Sequence, residues 1–437
     1  MKKFFYLALA AAAMASCSSD ESITSPEVTA EAAGDAVSFG VYTQTTRSNV
    51  EYLSSVQQNG FGVFAFSQML EGVSSYSKQN YMPNFMFNQK VTYDTPNTKW
   101  IYEPVKYWPN NAGALVSFYA YAPYLEAFNN DSLIYTPESN DYTYENKTLQ
   151  DKNVRLVLGY DSFGPAIEYT RSSKATDGID LLWGADKSTV TVQGADPNAK
   201  APVDKEKLAV DKKIEFVFKH AMSRLHFNVQ VWPDEPGTTA GDVTDAANKI
   251  TDNTTIVIKK VELIGNIWNK GSLRLYDGQW KHDKGDFSNL VFEGDDFSDA
   301  VKAGLKGDEA QKEIDLLVGE SMENGAMIAE KDIDNFVMLM PDSKFYIQIT
   351  YDVITKDPLN DKNTSVVTNV IKSTDANAAF NPTDITASSG ENRGYFNLVQ
   401  GKAYNVHLNI GLTSVKFDAD VEEWNTPSGE VSLPDNN

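Results

Sequence analysis

The stretch from residue 402 to 424 constrains the fold most, because its apolar residues alternate strictly with polar ones over two long runs. Such alternation places every second side chain on one face of an extended strand. The first run has the apolar set Tyr404, Val406, Leu408, Ile410 and Leu412. After a slip of phase at Thr413 and Ser414, the second run has the set Val415, Phe417, Ala419 and Val421. Two strands of this kind predict either a hairpin or a strand that is donated to another chain.

Similar patterns recur along the chain and predict an all-β protein. The stretches 223–232 and 344–353 alternate on one face, whereas 61–66 and 114–123 are apolar on both faces, as is typical of central strands. In 254–264 the phase changes midway, which indicates a β-bulge. Aromatic residues make up 11% of the chain, and this also favours strands. Short strands separated by loops rich in Gly, Asn, Asp and Pro predict β-sandwiches.

The longest polar interruption between strong strands, residues 186–213, divides the predicted strands into two groups. A chain of 437 residues is long enough for two or three domains. We therefore predict an N-terminal β-sandwich domain over residues 37–212 and a C-terminal one over residues 213–437. A long hairpin insertion within a single domain is the alternative.

The N-terminus has the pattern of an exported protein. Lys2 and Lys3 precede an apolar run that is too short to span a bilayer, so residues 1–16 are interpreted as a signal peptide. Cys17 is the single cysteine and cannot form an internal disulfide. The small residues before it resemble the bacterial lipobox, which implies cleavage before Cys17 and its lipidation; an ordinary signal peptide is the alternative. The polar residues 17–36 are predicted to form a flexible tether.

Charge and motifs exclude several functions. The formal net charge of -22 argues against nucleic acid as a partner, since no basic stripe could neutralise phosphates. The sequence has no nucleophile elbow, phosphate-binding loop, dinucleotide fingerprint or calcium loop. We therefore predict no catalytic residue, no metal, no cofactor and no enzymatic activity. A carboxylate pair that meets only in the folded chain, as in glycosidases, remains an open alternative.

The four histidines do not have the spacing of metal ligands. His226 and His407 fall on the polar faces of alternating strands, where solvated side chains are expected. His220 shares a face with two phenylalanines, which predicts a hydrogen-bonded interior residue rather than a base. His282 follows a tryptophan in a charged turn.

The first patterned segment after the tether is short and ends unusually. Val37, Phe39 and Val41 alternate with small or polar residues and predict a strand. The pattern then dissolves into a polar run that ends at Arg47. A permanent strand followed by an ordinary loop arginine is one interpretation of this segment.

A second interpretation comes from a resemblance carried by four blocks that span most of the chain. These are the lipoprotein start through VSFGVYTQTTR, YWPNNAGALVSFYAYAP (107–123), IEFVFKHAMSRLHFNV (214–229) and GKAYNVHLNIGLTSVKFDADVEEW (401–424). Together they resemble the fimbrillins, the pilins of type V pili. The resemblance implies two transthyretin-like β-sandwich domains and export as an outer-membrane lipoprotein to the cell surface. It also implies removal of the first strand by an arginine-specific protease and polymerisation by donor-strand exchange.

On this interpretation the protein is a structural subunit of a fimbria with a role in adhesion. Arg47 is the expected cleavage site, although the same Thr-Arg-Ser tripeptide occurs at Arg171. Val37, Phe39 and Val41 form the displaced strand, and the two C-terminal apolar sets anchor the donated strand. The expected partners are other pilin subunits, the outer membrane, the protease and a ligand on a host or bacterial surface.

The rival interpretation is a monomeric surface lipoprotein that binds glycans. Exposed aromatic residues would form its binding surface, and Trp100, Trp108 and Trp268 are the candidates.

Overall fold

The structure is a computed structural model. It describes residues 36–42, 56–68, 74–76, 81–129, 132–136, 141–144, 153–172, 178–191, 196–209, 212–231, 253–306, 312–318, 336–360, 362–375, 379–382, 394–412 and 414–423. Strands account for 53% of the described residues and helices for 6%. The predicted all-β fold class is therefore confirmed.

The described residues form 24 strands, five of which have three residues or fewer. The first twelve are β1 (Phe39–Val41), β2 (Phe61–Ser67), β3 (Met86–Asp94), β4 (Lys99–Ile101), β5 (Val116–Ala122), β6 (Ser132–Thr136), β7 (Asp141–Tyr144), β8 (Val154–Leu158), β9 (Ala166–Thr170), β10 (Leu182–Asp186), β11 (Ile214–His220) and β12 (Ser223–Val231). The other twelve are β13 (Thr254–Asn266), β14 (Lys270–Arg274), β15 (Trp280–His282), β16 (Leu290–Glu293), β17 (Ile314–Asp315), β18 (Phe336–Leu339), β19 (Lys344–Lys356), β20 (Asn363–Lys372), β21 (Ala379–Pro382), β22 (Tyr395–Asn397), β23 (Lys402–Ile410) and β24 (Val415–Glu423). The described helical segments are residues 56–59, the 3-10 turns Glu126–Asn129 and Gly294–Asp296, and the short helix α1 (Asp299–Lys302).

The first sheet has the strand order β1-β11-β10-β5-β2-β3-β4 and is buried on both faces. On one face, Phe64 and Tyr121 belong to a core that also contains residues of a second sheet, ordered β15-β14-β9-β8-β6-β7. On the opposite face, Phe61 and Phe118 belong to a separate core. This double burial explains why β2 and β5 are apolar at almost every position, and it confirms their interpretation as central strands.

The third and fourth sheets enclose one continuous core. Their orders are β17-β12-β23-β24-β21 and β16-β13-β19-β20, with β18 and β22 pairing with β12 and β19. Every second residue of β12 is buried, as the alternation of 223–232 predicts. The register of β13 against β19 shifts between Ile258 and Lys260, so the predicted bulge is confirmed. The bulge returns Val261 to the buried face.

The sheets do not separate at residues 212/213. β11 follows this position in sequence, yet it pairs with β1 and β10 in the first sheet. β14 and β15 lie even later and extend the second sheet beside β9. The physical reason is that alternation shows which face of a strand is buried but not which sheet it joins. The division into domains 37–212 and 213–437, and the transthyretin-like topology, stay predictions.

The connection between β11 and β12 joins the two halves of the molecule. Only Ala221 and Met222 separate the two strands, and both side chains are fully buried. β11 belongs to the first sheet and β12 to the third. A single backbone segment therefore passes directly from one sandwich into the other.

Candidate functional site

The first candidate element, β1, is the edge strand of the first sheet. It pairs in parallel with β11, and Phe39 lies opposite Ile214 in the register. The backbone N–H of Ile214 donates to the carbonyl of Ser38 at 2.9 Å, and the N–H of Tyr42 donates to the carbonyl of Phe216 at 2.8 Å. Because β1 has one strand neighbour, its removal breaks a single ladder and leaves β11 as a new open edge.

The side chains of β1 fill a slot in an aromatic core. Phe39 is 2% exposed, and its ring centroid lies 5.3 Å from that of Tyr102, 5.9 Å from that of Phe118 and 6.0 Å from that of Phe216. Val37 is also 2% exposed, whereas Val41 is half-buried. The ring of Phe61 also contacts Phe39, at a centroid distance of 6.3 Å, so loss of β1 would expose an apolar groove with four aromatic rings in its lining.

Tyr102 fastens β1 from the opposite side. Its hydroxyl donates to the carbonyl of Val37 at 2.6 Å, while the N–H of Val37 donates to the carbonyl of Lys106 at 2.8 Å. Burial raises the pKa of Tyr102 to about 12, since the charged phenolate is disfavoured there. No local sequence pattern indicates this role of Tyr102, because 65 residues separate it from its partner Val37.

The second candidate element is the strand pair β23 and β24. β23 runs parallel to β12 and antiparallel to β24, and β24 also pairs with the four residues of β21. Most of the predicted anchors are buried in the core between the third and fourth sheets. The buried anchors are Tyr404, Val406, Leu408, Ile410, Val415, Phe417 and Ala419. Val421 is half-buried and packs against the same core. In this structure, β23 and β24 therefore form a hairpin within the same chain.

Leu412 departs from the predicted anchor set. β23 ends at Ile410, and the side chain of Leu412 is 41% exposed. The N–H of Gly411 donates to the carbonyl of Ser414 at 2.7 Å, which closes a turn between the two strands. The alternation continues in sequence beyond the end of the strand, but the backbone has already begun to reverse. Thr413 lies outside the described residues.

Cys17 and Arg47, the residues at which processing is predicted, lie outside the described residues. Arg171, which carries the second Thr-Arg-Ser tripeptide, is half-buried. Its Nη2 atom donates to Asn269 Oδ1 at 2.5 Å and to Ser288 Oγ at 2.6 Å. Its backbone N–H donates to the carbonyl of Asn269 at 2.7 Å. A protease would have to break these contacts before this arginine could enter its active site.

The histidines contact acidic groups but do not assemble a metal site. His220 is buried, and its Nδ1 lies 2.9 Å from Asp180 Oδ1, as expected for a hydrogen-bonded interior residue. His226 and His407 lie on polar strand faces, 2.9 Å from Asp315 and 2.6 Å from Glu313. Across the described ranges, no group of three His, Cys, Asp or Glu side chains could hold a metal ion.

The tryptophans proposed for glycan binding do not form an open platform. Trp108 is 4% exposed and belongs to the core around Phe39. Trp100 is half-buried between Phe61 and Tyr93, with both centroids 5.1 Å away. Trp268 is half-buried and stacks on His282 at 4.7 Å. The expectation that Trp108 is exposed is wrong, because its ring packs against the slot that holds β1.

A family model now decides the assignment. The model described as "Fimbrillin-like" matches residues 43–424, which is most of the chain. The chain belongs to the fimbrillin-like family. Membership supports a fimbrial or adhesion subunit at the cell surface that contacts other pilin subunits. No helix in the described part of this fimbrillin-like chain is both long and apolar enough to cross a membrane.

Two solved structures from Bacteroides species are similar to this chain at low sequence identity. A fimbrial protein from Bacteroides vulgatus is 18% identical with a TM-score of 0.49, and the match covers 89% of the fimbrillin-like chain and 99% of the other. A candidate cell adhesion protein from Bacteroides uniformis is 15% identical with a TM-score of 0.38, over 90% and 99% of the two chains. No curated protein sequence matches the chain at a significant level.

Proposed function

We propose that the protein is a fimbrial subunit exported as a lipoprotein precursor, lipidated at Cys17, cleaved after Arg47 and polymerised by donor-strand exchange. An arginine-specific protease performs the cleavage, and the product functions in adhesion at the cell surface. The observation that carries the proposal is the position of β1. It is an edge strand that fills an apolar slot, and its last residue, Val41, is six positions before Arg47 in sequence.

Removal of β1 creates a strong acceptor for an extended segment. Full burial of Val37 and Phe39 contributes about 1.5–3 kcal/mol for each side chain, and that free energy is lost when the strand leaves. The freed edge of β11 also has unpaired backbone groups, which a partner strand can satisfy by β-augmentation. An uncleaved precursor keeps the slot filled and so remains monomeric until the protease acts.

The second C-terminal run is the better donor. β23 is held between β12 and β24 along its whole length, whereas the outer neighbour of β24 is only the four-residue strand β21. Each strand has two ladders, but release of β24 breaks fewer ladder hydrogen bonds than release of β23, because its ladder with β21 has only four residue pairs. β24 also presents Val415, Phe417 and Ala419 at the spacing of a donor, because all three are buried on one face.

The proposal is tested by changing the cleavage residue while keeping its charge. Wild-type precursor treated with an arginine-specific protease should lose its N-terminal segment and form ladders that resist SDS. Arg47→Lys should remain a full-length monomer, because the protease does not accept lysine. Arg171→Lys is the matched control and should assemble like wild type. Assembly of Arg47→Lys at the wild-type rate would refute activation at this bond, and a block by Arg171→Lys would move the activation site to Arg171.

A further inference from the structure

An open cavity of about 230 Å³ lies at the second sheet. The loop between β8 and β9 forms one wall, and the β14–β15 hairpin forms the other. The lining residues are Tyr160, Asp161, Arg274, Gln279, Trp280 and Lys281. The hairpin is held firmly in place by Gly278, which has a φ of +68° and packs so closely on Trp183 that no Cβ would fit.

The acidic groups at this cavity are already engaged. Asp161 Oδ2 accepts from Arg274 Nη1 at 3.0 Å, and Asp161 Oδ1 accepts from the N–H of Phe163 at 2.7 Å. Asp277 Oδ1 accepts from Arg274 Nε at 2.7 Å, and its Oδ2 accepts from Arg274 Nη2. Arg274 and the two carboxylates therefore form a closed network, and little acceptor capacity remains for a ligand.

In contrast to these carboxylates, two hydrogen-bond donors at the cavity, Lys281 and Gln279, are available to a ligand. Within the part of the chain that the structure describes, Lys281 Nζ has no acceptor, and it lies 5.7 Å from the centroid of the Tyr160 ring. Gln279 is exposed, and its Oε1 accepts from Arg274 Nη2 at 3.3 Å, which leaves the two N–H donors of its amide Nε2 available to a ligand. An ammonium group and an amide thus offer donors at the same opening, which favours a ligand rich in acceptor oxygens.

Aromatic surface surrounds these donors. Tyr160 and Trp280 are half-buried in the cavity wall. Beside them, Phe163 is 48% exposed and stacks on Tyr276 at 5.2 Å, with the guanidinium of Arg274 5.1 Å from the Phe163 ring. The aromatic surface therefore continues outside the cavity, next to the anchored arginine.

We propose that this cavity binds a sugar unit that carries a carboxylate or sulfate group. The aromatic walls pack against the C–H face of the ring, Lys281 pairs with the anionic substituent, and Gln279 donates to a hydroxyl. The volume is slightly below the ~300–1,000 Å³ of clefts for drug-sized ligands, which fits one sugar ring. The net charge of -22 repels anions from the protein as a whole, so the attraction of an anionic sugar to this cavity must come from the nearby ammonium group of Lys281.

The test measures binding of defined sugars to the full chain by isothermal titration calorimetry. The probes are glucuronic acid, glucose 6-sulfate, the uncharged methyl ester of glucuronic acid, and inorganic sulfate. We expect one or both of the charged sugars to bind at about 1 mM or tighter, and the ester and inorganic sulfate to bind at least tenfold more weakly. The ratio between the two charged sugars distinguishes carboxylate from sulfate as the natural group.

Variants assign the binding to this cavity. Lys281→Met keeps the stem over Tyr160 and removes the charge, so we expect affinity for the charged sugar to fall about tenfold or more. Lys281→Arg should restore most of it, and Lys284→Met, an exposed lysine in the next turn, should bind like wild type. Any one of four results would overturn the proposal. These are unchanged affinity in Lys281→Met, binding of the ester as tightly as the charged sugars, binding of inorganic sulfate as tightly as the charged sugars, and no binding of either charged sugar. None of these results would bear on strand exchange, because protease-dependent assembly is measured separately.

Discussion

Replacing Phe39 with alanine should lower the melting temperature of the precursor but not that of the assembled polymer. In the precursor, the side chain of Phe39 is 2% exposed and its ring contacts four other aromatic rings, so its removal leaves a cavity. Burial of this kind makes a Phe→Ala change cost about 3–5 kcal/mol, and we take the lower end because β1 is an edge strand. If the N-terminal sandwich melts as a unit of 150–250 residues, the melting temperature falls by about 2–4 °C per kcal/mol, or about 6–12 °C in all.

The same substitution should have no effect on the polymer, because β1 has been removed from it. The matched control is Phe118→Ala, since Phe118 lines the slot in both states and its ring lies 5.9 Å from that of Phe39. Differential scanning calorimetry of precursor and of protease-assembled polymer gives four comparisons with wild type. Phe39→Ala should lower only the precursor transition, whereas Phe118→Ala should lower both. An equal loss in precursor and polymer for Phe39→Ala would show that β1 stays in place, and the reasoning would be refuted.

Three further predictions concern Cys17, Phe417 and Tyr102. Cys17→Ala should abolish labelling by a fatty-acid probe and reduce the protein at the cell surface; a wild-type protein whose mature N-terminus lacks lipid would contradict this. Phe417→Asp should block assembly because it puts a carboxylate on the buried face of β24, whereas Lys416→Asp, on the other face, should assemble; polymer from both would exclude β24 as the donor. The pKa of Tyr102 is raised in the folded chain, so its contribution to the free energy of unfolding is complete below pH 10 and is lost between pH 10 and about 12. In urea titrations, the free energy of unfolding of Tyr102→Phe should fall less than that of wild type over this pH range. An equal fall in both proteins would contradict the raised pKa of Tyr102.

Strands that are apolar throughout or strictly alternating were predictable, because the number of buried faces determines which positions are apolar. β2 and β5 are apolar at almost every position since each has a core on both faces, and β12 alternates since it has a core on one. The bulge in β13 was predictable for the same reason, because an inserted residue must shift the apolar phase.

Other features depend on the folded chain and leave no local signal. The pattern of β11 predicts its buried face, yet its place beside β1 is decided by pairing with residues more than a hundred positions away. The apolar Leu412 continues the alternation of β23 although the hydrogen bond from Gly411 to Ser414 has already ended the strand. The cavity at Lys281 combines a loop and a hairpin that are distant in sequence, so its residues carry no motif.

The two-residue connection between β11 and β12 has a mechanical consequence. If subunits are joined as proposed, tension enters each one through the strand that replaces β1 on β11, and it leaves through the strands beside β12. Ala221 and Met222 make this route a continuous covalent one, so the load bypasses the noncovalent contact between the sandwiches. Strands pulled along their length load their ladder bonds in shear, where many bonds must fail together. A fibre of such subunits should therefore resist force through the rate of unfolding rather than through equilibrium stability.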